Sequence, residues 1–190
     1  MCIRENEYRY EIRLARPDER LLMREIEDEA GKLFSGLGLV DEALDSSFPL
    51  HKLDHLIMLG QVWVGAEKVG RPVGMIIVSV RGTIAYIEEM DVLPAHGRRG
   101  LGTCLLAHAC NWARQRRYEA AALSTFTDVP WNGPFYRKNG FRALPAIEWT
   151  PWMQTVRDRE KRRGLDIDRR VFMQKRFRAS DATTSSAATT

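Results

Sequence analysis

The stretch from Pro94 to Thr103, with the sequence PAHGRRGLGT, holds residue types suited to binding a phosphate group. Glycines at a turn between a strand and a helix let backbone N–H groups approach a phosphate closely, and the helix N-terminus adds about half a positive charge. Arg98 and Arg99 add two full charges. The turn is neither a Walker loop, which needs Gly-Lys-Ser/Thr, nor a Rossmann fingerprint, which needs a third glycine where Leu105 stands. We predict a pyrophosphate-binding turn of another type, with a purely structural loop as the alternative.

Two neighbouring glutamates and a tyrosine are the candidates for acid–base chemistry. Glu88 and Glu89 lie on the predicted strand that leads into the glycine turn. Successive strand residues face opposite sides of a sheet, so only one of the two is expected to face a pocket there. Tyr136 lies in a short predicted helix, directly after Phe135 and a few residues before Phe141. It is either a proton donor or a tyrosine packed in the core.

Alternating strand and helix patterns predict the framework that holds these groups. The order β, α, α, β, β, β, α, β, α, β, α, β indicates an α/β or α+β fold with antiparallel hairpins and at least one crossover. The second helix is expected to be irregular, with an interruption at Pro49. Residues 1–178 are predicted to form a single domain, and residues 179–190, rich in Ser, Thr and Ala, a disordered tail. Six of the seven predicted strands cover residues 8–14, 62–67, 73–80, 83–92, 120–126 and 170–178, and the remaining one falls between the last two helices. The predicted helices cover 17–36, 41–59, 100–117, 132–140 and 150–164.

Length and composition narrow the class of protein. The chain has 190 residues, 44% of them hydrophobic, which is enough for a packed core without metal or disulfide staples. No apolar run approaches the ~18 residues needed to cross a bilayer, and the charged N-terminus shows no secretory signal, so a cytoplasmic protein is expected. Cys2, Cys104 and Cys110 have no CxxC spacing, and we predict no metal site. The net charge is +4, and residues 151–178 hold ten Lys or Arg against four Asp or Glu.

Three blocks between residues 86 and 141 resemble, in the correct order, the GNAT superfamily of N-acetyltransferases, which bind acetyl-coenzyme A. Residues 86–94 (YIEEMDVLP) are similar to the family's fourth strand, 99–103 (RGLGT) to its pyrophosphate loop, and 130–141 (PWNGPFYRKNGF) to its late helix. The resemblance implies a GNAT-like mixed, mostly antiparallel sheet of six to seven strands flanked by helices. It also implies an acyltransferase that moves an acetyl group from acetyl-CoA directly to a primary amine.

The resemblance further implies which residues contact acetyl-CoA. Main-chain groups at the end of the fourth strand would bind the pantetheine arm where the sheet is splayed, and the N–H of Met90 or Val92 would hold the oxyanion. Gly97 stands where the family usually has Gln or Arg, and Val129 stands where Asn is frequent. Asn132 is expected to cap the short helix. The implied contact residues are Met90, Asp91, Val92, Arg98, Arg99, Gly100, Leu101, Gly102, Thr103, Asn132 and Tyr136.

Acetyl transfer from a thioester to an amine needs both a base and an acid. An alkyl amine of pKa about 10.4 must lose a proton before it attacks, and a leaving thiolate of pKa about 8.5 must gain one. The resemblance makes Tyr136 the general acid, because a phenol of pKa about 10 stays protonated at rest. Glu88 is predicted to be the base, with a pKa raised by partial burial, since YIEE resembles the segment of spermidine/spermine N-acetyltransferases that carries the proposed base. Glu89 and water are the alternatives, and both glutamates could instead be salt-bridge partners of arginines.

The sequence contains no recognisable motif that identifies the acceptor amine. A small-molecule, peptide or protein amine fits, in a pocket expected from residues 31–60 and 127–155. Trp131, Trp149 and Trp152 either shape this pocket or form a cation–π surface, or they are ordinary core or lid aromatics. A monomer or a homodimer is expected, with the sheet edge near the last strand as a contact. The alternative from another class is a noncatalytic acyl-CoA-binding or nucleic-acid-associated module that uses the basic C-terminal segment, with nucleic acid the less favoured ligand.

Overall fold

One mixed sheet organises the protein. The computed structural model describes residues 10–41, 47–67 and 70–177. In these ranges the strands are β1 Tyr10–Leu14, β2 Val62–Glu67, β3 Pro72–Arg81, β4 Ile84–Val92, β5 Ala120–Phe126, β6 Arg142–Ala143 and β7 Arg170–Arg176. They lie in the order β1-β2-β3-β4-β5-β7-β6, and every neighbouring pair is antiparallel except β4 and β5, which are parallel.

Helices cover both faces of this sheet. They are α1 Arg20–Gly31, α2 Leu50–Met58, α3 Leu101–Gln115, α4 Gly133–Lys138 and α5 Pro151–Arg162. The apolar stripe of α3 packs on one face together with α4, whereas α1, α2 and α5 pack on the opposite face. Within the described ranges, no helix is long and apolar enough to cross a membrane.

A notch of two glycines fixes the start of α3 against the sheet. Gly65 of β2 and Gly74 of β3 are direct partners, and Leu101 lies over them with 1% exposure. A Cβ atom would lie 2.5 Å from Leu101 Cδ1 if added to Gly65, and 3.0 Å from Leu101 Cδ2 if added to Gly74. Because no side chain occupies this space, Leu101 sits deep between the strands and holds the first turn of α3 in place.

The parallel strands β4 and β5 pair only at their beginning. Their paired residues run from Ile84 to Tyr86 on β4 and from Ala120 to Ala122 on β5. Beyond these pairs the two strands separate, although β5 continues to pair with β7 along its whole length. The sheet therefore opens between the ends of β4 and β5, next to the start of α3.

The predicted element order and fold class are confirmed, with local differences. Helix α1 ends at Gly31 rather than near residue 36, because Lys32–Phe34 form a tighter 3-10 turn. Pro49 precedes α2 as its N-cap and does not interrupt it, which suits a residue without a backbone N–H. Strand β7 is not at the sheet edge, because β6 pairs with it. Three predicted segments lie outside the described residues: the tail, the first residues of the predicted first strand, and residues 42–46 of the predicted second helix.

Candidate active site

The turn between β4 and α3 has the backbone geometry of an anion-binding loop. After the 3-10 turn Pro94–His96, both Arg98 (φ 55°) and Gly100 (φ 86°) are left-handed. Left-handed residues in a turn direct neighbouring N–H groups into one concavity. The N–H groups of 101–103, in the first turn of α3, have no intrahelical acceptor. The exposed side chains of Arg98 and Arg99 add positive charge beside them.

Main-chain groups of β4 face the opening in the sheet. Leu93 N–H donates to the Val73 carbonyl at 2.9 Å, so the main chain of Leu93 points towards β3. Strand residues direct their N–H and C=O groups alternately to the two sides. Met90 and Val92 therefore direct theirs towards the opening, as the resemblance implies. Asp91 directs its main chain to β3, and only its side chain faces the cavity described below.

A β-bulge places both neighbouring glutamates on one face of β4. Ile77 of β3 pairs with Glu89, but the next residue of β3 pairs with Ile87, which leaves Glu88 as an extra residue. Ile87 and Met90, on either side of the two glutamates, both pack towards α3. Glu88 and Glu89 therefore both point to the opposite face, towards α1 and α5. The prediction that only one of them faces this side is wrong, because it assumed unbroken alternation.

Glu88 is held in a buried ion cluster, the Glu88 cluster. Its Oε1 accepts hydrogen bonds from Lys52 Nζ (2.7 Å), Ser79 Oγ (2.7 Å) and Arg81 (2.9 Å), and its Oε2 accepts one from Arg159 (2.8 Å). Its side chain is 0% exposed. Burial alone raises the pKa of Glu88, but Arg159 and Lys52 outweigh burial, and the pKa lies below its ordinary value. The predicted upward shift is therefore wrong.

A cavity of about 470 Å³, the central cavity, lies at the opening between β4 and β5 and is closed by α1 and α5. Glu27 of α1 and Glu89 and Asp91 of β4 line it, and we call these three residues the acidic triad. Burial, together with Glu27, raises the pKa of Glu89 to about 7. Burial also raises the pKa of Asp91 well above its ordinary value, with Glu89 and Glu27 adding to the effect. Burial raises the pKa of Glu27 as well. Arg163 at the end of α5 lines the cavity and opposes the raised pKa of Glu27 and that of Glu89.

Tyr136 lines the same cavity from α4. Its ring contacts Phe135 and Phe141 edge to face, and the residue is 8% exposed. Burial raises the pKa of Tyr136, and the negative charges of Glu89 and Asp91 raise it further, so the phenol is protonated at neutral pH. The two interpretations of Tyr136 are therefore compatible, because one side of the ring packs in the core while the residue lines the cavity.

The family model of the acetyltransferase (GNAT) family matches residues 23–141, which is more than half of the chain. The chain belongs to the GNAT acetyltransferase family. Members of this family are enzymes that transfer acetyl groups, so the predicted family and enzyme class are confirmed. The matched range contains the glycine turn, the acidic triad and Tyr136.

Solved structures share the fold of this GNAT acetyltransferase. The PaiA N-acetyltransferase from Thermoplasma acidophilum, solved with coenzyme A, matches with a TM-score of 0.69 and 16% identity over 88% of this chain and 99% of its own. The ribosomal-protein-S18-alanine N-acetyltransferase from Escherichia coli matches with a TM-score of 0.61 and 15% identity over 88% and 93%. N-acetylglutamate synthase from Neisseria gonorrhoeae, solved with coenzyme A and N-acetyl-glutamate, matches with a TM-score of 0.65 and 16% identity over 89% of this chain but only 35% of its own. At these identities the likeness concerns the fold.

Other predicted site residues of this GNAT chain divide into two groups. Asn132 occupies the predicted N-cap position of α4, but its side chain makes no cap hydrogen bond, and the residue lines the central cavity. Trp149 and Trp152 pack against Phe172 of β7 and do not line the central cavity, although Trp152 lines a separate pocket beside Ile84 and Ala120. Trp131 is 45% exposed and packs edge to face on Phe34 near the mouth of the cavity.

Two residues of the site, Glu27 and Arg163, were not predicted from the sequence. Glu27 lies in the apolar stripe of α1 formed by Met23, Ile26 and Ala30, and an acidic residue in a buried stripe was a readable signal. Arg163 carried no such signal, because the basic segment around it resembles a solvated helix end.

Proposed function

We propose that this GNAT acetyltransferase moves an acetyl group from acetyl-CoA directly to a primary amine, with Glu89 as the base and Tyr136 as the acid. One observation carries the proposal: Glu89 and Tyr136 line the same cavity, where β4 and β5 separate beside the anion-binding turn. Glu89 thereby takes the role for which the sequence favoured Glu88.

The donor is proposed to bind along the turn and the opening of the sheet. Its pyrophosphate would meet the backbone N–H groups of the turn and the charges of Arg98 and Arg99, and its pantetheine arm would meet the free-edge main chain of Met90 and Val92. Gly102 supports this assignment. A Cβ there would lie no closer than 3.7 Å to its nearest neighbour, Phe135 Cζ, so the fold itself does not require a glycine.

Glu89 suits the deprotonation of an amine at neutral pH. A base works best when its pKa lies near the working pH, and the pKa of Glu89 is raised to about 7. In contrast, both oxygens of Glu88 are already occupied by cations and a hydroxyl. The amine proton therefore goes to Glu89, directly or through one water.

Tyr136 would return a proton at the other end of the reaction. As the new carbon–nitrogen bond forms and the carbon–sulfur bond breaks, the leaving sulfur takes the phenol proton. Glu89 is one of the two negative charges that raise the pKa of Tyr136. Once Glu89 has accepted the amine proton it is neutral, and Tyr136 is then a stronger acid than in the resting enzyme.

The alternative module has less support, because several arginines of the segment 151–178 are engaged in ion pairs within the fold. Arg159 pairs with Glu88 at 2.8 Å and Arg170 pairs with Glu160 at 3.0 Å. Charges neutralised in this way contribute little to a field that attracts a polyanion. The transferase therefore remains the favoured function.

A calorimetric titration with acetyl-CoA, with ATP as the control for general polyphosphate attraction, tests the donor site. We expect micromolar affinity for acetyl-CoA, about −8 kcal/mol, and much weaker binding of ATP. Gly102→Ala should weaken acetyl-CoA binding at least tenfold while leaving the unfolding midpoint equal or higher, because alanine favours a helix and has room there. Equal binding of ATP and acetyl-CoA, or an unchanged affinity in Gly102→Ala, would contradict the assignment.

A further inference from the structure

Some of the charged residues that line the central cavity are neutralised within the fold. Glu88 has the three cations of its cluster. Glu160 is 5% exposed and pairs with Arg170 at 3.0 Å. At the rim, Lys32 pairs with Glu29 at 2.5 Å. Glu88, Glu160 and Lys32 therefore each have a partner of opposite charge within the fold, and the Glu88 cluster holds three cations for its one carboxylate.

The acidic triad is not neutralised in the same way. Of its members only Glu27 has an ion pair, with Arg24 at 3.3 Å. Within the described part of the chain, Glu89 and Asp91 have no ion pair within 4.0 Å. Arg163 and Arg170 line the cavity and oppose the raised pKa of Glu89, and Arg163 also opposes that of Glu27, but neither arginine forms an ion pair with the triad at that distance. Glu89 and Asp91 are therefore cavity carboxylates that no cation of the described chain neutralises through an ion pair.

Asp91 provides a second and independent observation. Its Oδ2 is buried and has no hydrogen-bond partner in the part of the chain that the structure describes. A buried acceptor without a partner is unfavourable, and such a group in a native structure needs an explanation. Its side chain lines the central cavity, so a donor on a bound molecule is the partner that the geometry leaves open.

We infer that the acceptor carries, besides its reacting amine, a second ammonium group that pairs with Asp91 and Glu27. This inference rests on the proposed function. The reacting nitrogen must be neutral when it attacks the thioester, so its own charge cannot hold it in the transition state. A second, non-reacting ammonium stays charged throughout and keeps its ion pair. Glu89 serves the reacting end, and the other two carboxylates serve the second ammonium.

The mouth of the cavity suits an aliphatic chain between the two nitrogens. Phe34 lines the cavity, and Trp131 packs on it with its centroid 6.1 Å from that of Phe34. Trp131 is 45% exposed and Leu37 is 44% exposed. Apolar and aromatic surface at this position can cover methylene groups and the faces of the rings can meet a cation. A diamine combines these features.

Three probes with the same four-carbon chain separate the possibilities: 1,4-diaminobutane, n-butylamine and 4-aminobutanoate. Release of coenzyme A thiol is followed at fixed pH and saturating acetyl-CoA. We expect kcat/KM for the diamine to exceed that for butylamine by about tenfold or more, with 4-aminobutanoate the poorest substrate. Asp91→Asn should bring the ratio of diamine to butylamine close to one. Because this measure is a ratio, any general loss of activity cancels.

Glu25→Gln is the matched control, because it removes one carboxylate from the outer face of α1, where Glu25 is 60% exposed. The diamine preference should persist in this variant. Equal use of diamine and butylamine, with acetyl-CoA still bound, would overturn the inference and leave the proposed function standing. A preference for 4-aminobutanoate would overturn it in favour of an anion site at Arg163. No thiol release with any probe, together with no acetyl-CoA binding, would remove both proposals.

Discussion

Replacing Glu88 by glutamine separates a structural carboxylate from a catalytic one. The substitution keeps the size of the side chain but removes the negative charge on which Lys52, Arg81 and Arg159 converge. The glutamine side chain also has an NH₂ group in place of one carboxylate oxygen of Glu88. This NH₂ group is a donor and would face one of the hydrogen-bond donors of the Glu88 cluster. Because the three cations come from α2, β3 and α5, the change loosens contacts among three elements around the bulge.

The size of the effect follows from burial. Removing one partner of a buried ion pair costs about 3–5 kcal/mol. The three cations retain 25%, 32% and 30% exposure, so water recovers part of this loss. We expect the free energy of unfolding at pH 7 to fall by about 2–4 kcal/mol. The pKa of Glu88 is lowered in the folded state, so its contribution is present above the unfolded value of about 4.3 and is lost as pH falls through the folded value.

Urea unfolding at pH 7 and at pH 3.5 measures both aspects. With a slope near 2 kcal/mol per molar, the midpoint at pH 7 should fall by about 1–2 M, and the difference from the wild type should shrink at pH 3.5. The exposed pair of Glu25 and Arg71 provides the control, since Glu25→Gln should change stability by less than about 1 kcal/mol. A Glu88→Gln protein as stable as the wild type at pH 7 would refute the structural role of the cluster.

Four further predictions follow from the geometry. Tyr136→Phe should lower turnover by about 100-fold or more while acetyl-CoA affinity in the calorimeter stays within about twofold; unchanged turnover would exclude Tyr136 as the acid. Asp91→Asn should raise the free energy of unfolding at pH 8 by on the order of 1 kcal/mol. The pKa of Asp91 is raised in the folded state, so this carboxyl stabilises the fold at low pH and loses that contribution as pH rises through the folded value. A variant less stable than the wild type at pH 8 would contradict burial as the cause of the raised pKa of Asp91. Gly65→Ala should destabilise the fold by about 1–3 kcal/mol because its Cβ would clash with Leu101. Gly31→Ala, with nothing within 4 Å of the new Cβ, should be neutral or stabilising by up to about 1 kcal/mol in the same denaturation assay, and equal losses in the two variants would argue against the notch.

Local signals predicted much of the framework and part of the site. The spacing of hydrophobic residues and the positions of glycine and proline were enough to predict the order of helices and strands, because each helix or strand is encoded by a few neighbouring residues. The turn at residues 97–103 was predictable for the same reason, since left-handed Gly100 and the start of α3 are encoded side by side. The position of Tyr136 on a short helix was also local.

The roles of the two glutamates could not be predicted in this way. A pattern of period two assumes regular pairing, whereas the bulge at Glu88 arises from how β3 and β4 pair. The partners of Glu88 lie 36 residues away at Lys52 and 71 residues away at Arg159, so only the folded chain brings them together. The raised pKa of Glu89 likewise depends on burial and on Glu27 of a distant helix.

The pH dependence of coenzyme A release tests most directly whether Glu89 is the base. In the wild type, kcat/KM should rise with pH through an acidic limb near pH 7, because the base must be deprotonated. Glu89→Gln should abolish this limb and lower the rate by about 10²–10⁴-fold. Glu88→Gln should keep an acidic limb but move it to lower pH, because the negative charge of Glu88 helps to raise the pKa of Glu89. A limb that survives in Glu89→Gln and disappears in Glu88→Gln would contradict the account.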